Sequence, residues 1–269
     1  MKAVLLAAGR GSRLGKYTQD LPKGMLPILG KSILQIQIDI LQQAGINDIS
    51  IVSGYKREKI QFEGIKYYNK NNYDSTNMVV SLMKAKNEFN DDLLVIYGDI
   101  IYEKRLLDAL IMCEKDAVVL ADENWKKYWK MRYGRVDVDL ESLIIDDTGA
   151  IKQIGQTDIV SPDLMMLRYI GMLKFSKNCL NEIKNIVEYA KNNYNDMPWK
   201  LSQRPYPTSY MTDLIQAIID NGFTVSTKAV KNGWLEFDTI DDYEKSLSWI
   251  STGEIDLLFE DFNVLIKDA

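Results

Sequence analysis

The sequence predicts an α/β fold in which two layers of helices enclose a mostly parallel, mixed central sheet. Apolar runs of strand length alternate with helical stretches through the first half, and most of these runs end at a glycine or a turn residue. No repeat or low-complexity linker interrupts the 269 residues. We therefore predict a three-layer αβα architecture. The predicted strands of the first half are 2–8, 49–52, 65–68, 93–97 and 117–121.

The predicted helices begin and end at residues that favour helix termini. Ser32 and Gln35 have the spacing of a capping box, and the helix that follows them ends at Gly45. Asn77 is placed to cap a helix that continues to about Lys86. The remaining predicted helices are about 103–114, 178–192, 212–221 and 241–249.

The pattern of the chain changes after the fifth predicted strand. Val136 and Val138 alternate with acidic residues, and the turn that starts at Asp147 and ends in glycine is typical of a hairpin. We predict a single domain spanning 1–269, with an inserted lobe at about 122–168. The later strands are predicted at 169–175, about 224–230 and 234–238.

Composition and charge exclude several classes of protein. The formal net charge is −5, so we expect no nucleic-acid partner. No apolar stretch approaches the length of a membrane span, so we expect no membrane association. The two cysteines, Cys113 and Cys179, do not form a disulfide framework and fit a reducing compartment. The sequence therefore predicts a cytoplasmic protein.

The chain contains no histidine. This removes Ser–His and Cys–His nucleophile pairs and nearly all of the usual zinc sites. Any chemistry must therefore use carboxylates, lysine, arginine, backbone amides and hard metal ions. Phosphoryl-type transfer uses those groups.

A glycine loop, Gly9-Arg10-Gly11-Ser12-Arg13, follows the first predicted strand. It is not a dinucleotide-binding fingerprint, because Leu14 stands in place of the third glycine. The segment Gly30-Lys31-Ser32 is not a P-loop, because Met25 stands in place of its first glycine. The backbone amides of the glycine loop, with Arg13 and the later Lys23, suit a triphosphate. Such a motif alone is more often an ordinary turn with solvated cations.

The longer stretch from Leu6 to Leu14, followed by Pro22-Lys23, resembles the signature of the sugar-phosphate and phosphocholine nucleotidyltransferase family, and in particular its phosphocholine-type cytidylyltransferases. Gly98-Asp99, Tyr169-Ile170-Gly171 and the segment from Gly233 to Thr239 continue the resemblance along the chain. The resemblance implies a Rossmann-like fold of the nucleotide-diphospho-sugar transferase type. It also implies a role in cell-surface polysaccharide biosynthesis.

The resemblance implies a role for several charged residues. Arg13 and Lys23 would be catalytic by neutralising charge on the triphosphate, and Asp99 and Asp238 would hold Mg²⁺. Without the resemblance, these two acids are equally well interpreted as a turn residue and a helix cap. The nucleotide-binding residues that the resemblance implies are Leu6, Ala7, Ala8, Gly9, Gly11, Ser12, Tyr73, Thr76, Asn77, Ser81 and Gly98.

The implied reaction is attack by a phosphorylated acceptor on the α-phosphorus of a nucleoside triphosphate, with release of pyrophosphate. A phosphate monoester is mostly ionised at pH 7, because its second pKa is about 6. The nucleophile therefore needs no general base. This agrees with a chain that has no histidine.

The segment from Tyr73 to Asn77 resembles the base-and-ribose region of the choline-type cytidylyltransferases, which favours CTP. In the predicted lobe, aromatic residues near acids suit an ammonium group through cation–π contacts, although the same rings are equally suited to packing the core of the lobe. We expect a small amine-bearing acceptor such as phosphocholine, an aminoalkyl phosphonate or a phosphorylated amino acid. The predicted acceptor-binding residues are Glu123, Trp129, Tyr133, Lys152 and Gly171.

Two other functions remain open at this point. One is a sugar-1-phosphate uridylyl- or thymidylyltransferase, and the other is a non-catalytic nucleotide-binding module on the same fold. The presence of all four charged residues, Arg13, Lys23, Asp99 and Asp238, argues against the second. The oligomeric state is also open, and a homo-oligomer is allowed. The apolar tail at about 251–269 is expected to dock on its own domain or on a partner subunit.

Overall fold

The computed structural model describes residues 1–157 and 166–262. Its elements follow one another in the alternating order that the sequence predicts. The strands are β1 (Lys2–Ala7), β2 (Pro27–Ile28), β3 (Lys31–Ser32), β4 (Ile49–Ser53), β5 (Lys66–Asn69), β6 (Leu93–Tyr97), β7 (Ile100–Tyr102), β8 (Ala117–Asp122), β9 (Leu143–Ile145), β10 (Ile151–Ile154), β11 (Arg168–Phe175), β12 (Ser226–Val230) and β13 (Trp234–Glu236). The α-helices are α1 (Ile33–Gln43), α2 (Met78–Lys84), α3 (Lys104–Ile111), α4 (Trp125–Tyr133), α5 (Lys177–Asn193), α6 (Met211–Asp220) and α7 (Ile240–Thr252).

Seven of these strands form the central sheet, in the order β12–β8–β11–β6–β1–β4–β5. Strand β11 runs antiparallel to both of its neighbours, and every other pair in this sheet is parallel. The apolar runs of β1, β6 and β8 are almost fully buried, as expected for strands covered on both faces. The predicted mostly parallel mixed sheet is confirmed.

Two apolar clusters cover the two faces of the sheet. One contains buried side chains of α1, α3, α4 and α7, and the other contains buried side chains of α2, α5 and α6. The three-layer αβα prediction is therefore confirmed. Because the parallel strands β1 and β6 end at the same edge, the segments that follow them are brought together there.

The predicted lobe contains helix α4 and an antiparallel hairpin of β9 and β10. The hairpin turns at the predicted position, where Asp146 Oδ1 accepts a hydrogen bond from the backbone N–H of Thr148 at 2.9 Å and Gly149 has a φ of 80°. Helix α4 was not predicted, and its aromatic residues were assigned to acceptor binding instead. The partition into one domain with an inserted lobe stays a prediction, and part of that lobe lies outside the described residues.

Two of the predicted helix caps are wrong in detail. The Ser32 hydroxyl does accept a hydrogen bond from the backbone N–H of Gln35, but the Gln35 amide donates to Asp39 rather than back to residue 32, so the box is half formed. Asn77 occupies the N-cap position of α2 without a side-chain capping bond. Its amide donates to the carbonyl of Thr208 instead, which ties α2 to a distant loop.

The described part of the C-terminal tail docks on its own domain. Ile255, Leu258, Phe259 and Phe262 are buried in the same cluster as α1 and α7. The later tail residues, 263–269, lie outside the described residues. In the described ranges 1–157 and 166–262, no helix has the length and apolar character that crossing a membrane requires.

Candidate active site

The glycine loop leaves β1 and turns back over the end of the sheet. Gly11 has φ 70° and ψ 46°, a left-handed conformation that favours glycine. A Cβ at this position would lie 3.0 Å from Cβ of Lys23, so the residue also allows a close approach of the lysine. The Thr18 hydroxyl donates to the carbonyl of Gly11 at 2.9 Å and fixes the turn. The loop is therefore held in one shape beside Lys23.

Four charged residues from distant parts of the chain meet at this edge. The ammonium of Lys23 lies 2.6 Å from Asp99 Oδ2 and 2.5 Å from Asp238 Oδ1. Arg13 Nη2 lies 3.2 Å from the same oxygen of Asp238. The pairing of β13 with β7 explains this convergence, because β7 begins directly after Asp99. Asp99 follows β6, Asp238 follows β13, and the Phe237 N–H donates to the carbonyl of Asp99 at 3.0 Å.

The electrostatics of this cluster keep Lys23 and Asp238 charged. Burial would lower the pKa of Lys23, but Asp99 and Asp238 outweigh that effect and raise it well above its usual value. Burial would raise the pKa of Asp238, but Lys23, Arg13 and Arg132 lower it below its usual range. At neutral pH Lys23 is therefore an ammonium group and Asp238 a carboxylate.

Asp99 has a further property that a simple ion pair would not require. Its Oδ1 atom is buried and has no hydrogen-bond partner among the described residues. An unpaired buried carboxylate oxygen is costly, so it points to a group that binds there. Gly98 lets the backbone pack closely at this position, because a Cβ on it would lie 2.7 Å from Cβ of Ala7 and 2.9 Å from the carbonyl oxygen of Leu6.

Arg132, a residue that the sequence analysis did not assign, positions the segment that carries Asp238. Its guanidinium is buried and makes a two-bond contact with Asp242, at 2.7 and 2.8 Å, and a 2.7 Å contact with Glu236. Asp242 in turn accepts the backbone N–H groups of Asp238 and Thr239, at 3.0 and 2.8 Å. Helix α4 therefore fixes the backbone of the second carboxylate.

The predicted base-binding loop is closed by a buried lysine that sequence analysis also missed. The ammonium of Lys70 donates to the carbonyls of Thr76 and Asn77 and to the hydroxyl of Ser81, each at 2.9 Å. Only 3% of the residue is exposed. The Ser81 hydroxyl thus accepts a hydrogen bond from Lys70 and donates one to the carbonyl of Asn77. Tyr73 at the tip of the loop packs edge-on against Tyr55, with ring centroids 5.9 Å apart.

The environment of Lys70 predicts a measurable pH dependence of stability. Burial, with a smaller contribution from Lys84, lowers the pKa of Lys70 from 10.5 to about 8. Between these values the unfolded chain carries the proton and the folded protein does not, so stability rises with pH. Relative to Lys70→Met, we expect the wild-type free energy of unfolding to increase from pH 8 to 10, by up to about 1.4 kcal/mol per pH unit.

This expectation is checked by urea unfolding at pH 7, 8, 9 and 10. The matched control is Lys191→Met, which removes an exposed lysine. Its free energy of unfolding should differ from that of the wild type by the same amount at every pH. A constant difference between wild type and Lys70→Met across the series would contradict the assignment.

A cavity of about 290 Å³ opens next to the Lys23 cluster. Arg13, Asp99 and Asp238 line one end of it, and Gly171 lines its wall. Gly171 has a φ of 81°, and a Cβ there would lie 2.7 Å from the Tyr97 ring, so the glycine is required for β11 to pass that ring. Other charged side chains complete the lining, namely Asp139, Glu141, Arg168 and Glu236.

The other predicted acceptor residues lie away from this cavity. Trp129 is fully buried in the core and donates its indole N–H to the carbonyl of Val138 at 2.9 Å. Tyr133 packs on the Arg132 guanidinium. Glu123 pairs with Lys231 at 3.3 Å, and the exposed Lys152 pairs with Asp146 at 2.7 Å. Of the predicted acceptor residues, the structure thus brings only Gly171 to the cavity that Arg13, Asp99 and Asp238 line. The other four, Glu123, Trp129, Tyr133 and Lys152, do not line it.

The described residues contain no group of three or more histidine, cysteine, aspartate or glutamate side chains arranged to hold a metal ion. Mg²⁺ needs fewer protein ligands than that, since it commonly binds one or two carboxylates together with phosphate oxygens and water. The geometry at Asp99 and Asp238 is therefore the arrangement to test for a metal.

Residues 3–193 match the family described as the MobA-like NTP transferase domain. The chain belongs to the MobA-like NTP transferase family. It is also 31% identical to a CTP:phosphoglutamine cytidylyltransferase from Campylobacter jejuni over 255 residues, which cover 91% of this chain and 98% of that one. The prediction of a nucleotidyltransferase is confirmed.

One further sequence relative and one solved structure are also similar to this chain over most of its length. A nucleotidyltransferase of low-salt glycan biosynthesis from Haloferax volcanii is 27% identical over 87% of this chain and 61% of its own length. The crystal structure of the CTP:phosphocholine cytidylyltransferase from Streptococcus pneumoniae superposes with a TM-score of 0.70, covering 93% of this chain and 98% of that one at 20% identity. This MobA-like NTP transferase therefore shares its fold with a cytidylyltransferase.

Proposed function

We propose that this nucleotidyltransferase transfers CMP from CTP to a small phosphorylated acceptor that carries an amine, with release of pyrophosphate. One observation carries the proposal. The carboxylates Asp99 and Asp238 line the same cavity as the acids Asp139, Glu141 and Glu236. A phosphate end and a positively charged end of one acceptor are therefore accommodated in a single site.

The two carboxylates fit a Mg²⁺ ion. Asp99 presents a buried oxygen that has no partner among the described residues, and Lys23 holds a second carboxylate, that of Asp238, beside it. When bound, such an ion supplies charge neutralisation for phosphate oxygens. Lys23 and Arg13 would then contact the triphosphate, since both lie at the glycine loop and both already face Asp238.

The residues of this chain act by positioning and by electrostatics. An oxygen of the acceptor phosphate forms a bond to the α-phosphorus, and the bond from that phosphorus to the oxygen bridging to the β-phosphorus breaks. The pyrophosphate takes the electron pair. Because the attacking oxygen is already ionised at neutral pH, no residue has to remove a proton. Lys23 and Arg13 stabilise the negative charge that builds up as pyrophosphate leaves.

CTP is the proposed nucleotide. The relatives from Campylobacter jejuni and Streptococcus pneumoniae are both named for CTP. The loop between β5 and α2 offers a rigid polar surface for a base, because Lys70 holds its backbone carbonyls in place and Tyr73 packs on Tyr55. Since glycan biosynthesis appears in the name of a further relative, we propose that the product supplies a cell-surface polysaccharide.

The amine-bearing acceptor is favoured over a sugar-1-phosphate by the charge of the cavity. Five acidic side chains and two arginines, Arg13 and Arg168, line it among the described residues. Asp139 and Glu236 already pair with Arg168 and Arg132, whereas Glu141 has the Thr212 hydroxyl as a partner and no ion pair among the described residues. An uncharged sugar would leave Glu141 without a counter-charge, and an ammonium group would pair with it.

The proposal is tested by pyrophosphate release with each of CTP, UTP, ATP and dTTP. Each nucleotide is combined with phosphoethanolamine, phosphocholine, phosphoglutamine and glucose-1-phosphate. We expect turnover with CTP and at least one of the three amine-bearing phosphates. Turnover with UTP or dTTP and glucose-1-phosphate, without any with CTP, would establish a sugar nucleotidyltransferase. No turnover with any pair would favour a non-catalytic nucleotide-binding module.

A further inference from the structure

Arg168 is one of two arginines that line the cavity among the described residues, and the proposed function gives it no role. Arg168 lies at the start of β11, and its side chain is 12% exposed. Its guanidinium stacks on the Trp129 ring, 4.0 Å from the centroid. Asp139 holds it at the edge, where Nη2 lies 3.0 Å from Oδ2 and Nη1 donates to the backbone carbonyl. The plane of the guanidinium is thus fixed while it lines the cavity.

An acid lies near this cation on the same cavity wall. Glu141 is partly buried, and its Oε1 accepts a hydrogen bond from the hydroxyl of Thr212 at 2.6 Å. Burial raises the pKa of Glu141, and Thr212 and Arg168 act against that rise. A buried carboxylate in this position is stabilised by any further positive group that enters the cavity.

We infer that the free end of the acceptor is an α-amino acid, with its carboxylate bound by Arg168 and its ammonium bound by Glu141. The inference rests on the proposed function, since it concerns the same acceptor. A planar guanidinium matches a carboxylate through two parallel hydrogen bonds. Asp139 already neutralises Arg168, so an acceptor with an ammonium alone would make no use of this guanidinium, whereas an acceptor carboxylate would bind it directly.

The distance along β11 agrees with an acceptor of this size. Gly171 packs on Tyr97, and Tyr97 lies two residues before Asp99 in the sequence. Arg168 lies three residues before Gly171 in β11. Three residues of strand span at most about 10 Å, and β11 is irregular here because Gly171 has a φ of 81°. An amino acid whose side chain ends in a phosphoryl group can place phosphorus near Asp99 and its carboxylate near Arg168. A short amine such as phosphoethanolamine does not reach both ends.

The test uses two acceptors that differ by one carboxylate. These are phosphoglutamine and its decarboxylated analogue, 4-aminobutyramide carrying the phosphoryl group on its amide nitrogen. With CTP and the wild-type protein, we expect kcat/KM to favour phosphoglutamine by about 30-fold, the contribution of a charged hydrogen-bonded pair. Arg168→Met should reduce this ratio to below about threefold, mainly through a higher KM for phosphoglutamine.

The matched control is Arg135→Met, which removes an exposed arginine of the same lobe and should leave the ratio at its wild-type value. Glu141→Gln should raise KM for both acceptors, because both carry the amine. The inference is overturned if the wild-type ratio is close to one, or if Arg168→Met lowers kcat/KM equally for both acceptors. Turnover of the decarboxylated analogue alone would overturn this inference and leave the proposed function standing. If neither phosphoglutamine nor its analogue were turned over while CTP and phosphocholine reacted, this inference would likewise be overturned and the proposed function would stand.

Discussion

Replacing Asp238 by asparagine is expected to reduce turnover by about a thousandfold, equivalent to about 4 kcal/mol of activation free energy. Asparagine keeps the shape of the side chain but removes the charge that lies against Lys23 and Arg13. The backbone of residue 238 remains held by Asp242, so the fold should persist. The measurement is pyrophosphate release at saturating CTP and Mg²⁺, with circular dichroism to verify the fold.

The neighbouring residue provides the control for this variant. Asp241 is exposed in the first turn of α7, and Asp241→Asn should retain activity within about twofold, as surface substitutions usually do. Asp99→Asn should show the same large loss as Asp238→Asn. As a readout independent of turnover, both variants should also lose the rise in melting temperature that Mg²⁺ and CTP together give the wild-type protein. If Asp238→Asn were as active as Asp241→Asn, the carboxylate of Asp238 would have no role in catalysis.

The largest effect on stability is expected from Arg132→Met. The side chain of Arg132 is 1% exposed, and that of its partner Asp242 is 2% exposed. Burial would lower the pKa of Arg132, but Tyr128, Glu236 and Asp242 raise it above its usual value, so it is charged in the fold. Removing one member of a buried ion pair leaves the other without a counter-charge, which typically costs 3 to 5 kcal/mol, so we expect a loss of about 4 kcal/mol.

An exposed arginine of the same lobe, Arg135, provides the control for the loss of a buried arginine. Arg135 pairs with Asp137 at the surface, and Arg135→Met should cost about 0 to 1 kcal/mol. The conservative variant Arg132→Lys keeps the charge but loses the two-bond contact with Asp242, so an intermediate loss is expected. Urea unfolding of all three variants measures these differences. If Arg132→Met were no less stable than Arg135→Met, the buried network would have no energetic role.

The sheet was predictable because its signals are local. Apolar runs that end in glycine marked β1, β4 and β6, and parallel strands that share an edge imply that the residues after them converge there. Asp99 was predicted this way, because it follows β6, whereas Asp238 was predicted from the family resemblance, since β13 lies outside the central sheet. The capping bond of Ser32 was correct for the same reason, because a cap depends on residues only three positions apart.

The aromatic residues of the lobe show where this approach reaches its limit. Trp125, Tyr128, Trp129 and Arg132 repeat at helical spacing and form the buried face of α4. That periodicity was visible in the sequence, and of the two interpretations of these rings, acceptor binding and core packing, the structure agrees with packing for Trp125, Tyr128 and Trp129. The roles of Arg132 and Lys70 were not predictable. Arg132 pairs with a residue 110 positions away, and Lys70 binds backbone carbonyls, which carry no signal in the sequence.

The Trp129 ring has a consequence for how this protein can change its substrate. One guanidinium, that of Arg168, lies 4.0 Å from the ring centroid, and a second, that of Arg132, lies 5.3 Å from it. In the proposed acceptor site, exchanging Arg168 alone would change the cavity wall and the pairing with Asp139, and would leave the contacts of Arg132 intact. Exchange of Trp129 would disturb both arginines at once, together with the carboxylates that Arg132 holds. If the proposed acceptor site is correct, substitutions that alter acceptor choice are therefore tolerated better at Arg168 than at Trp129.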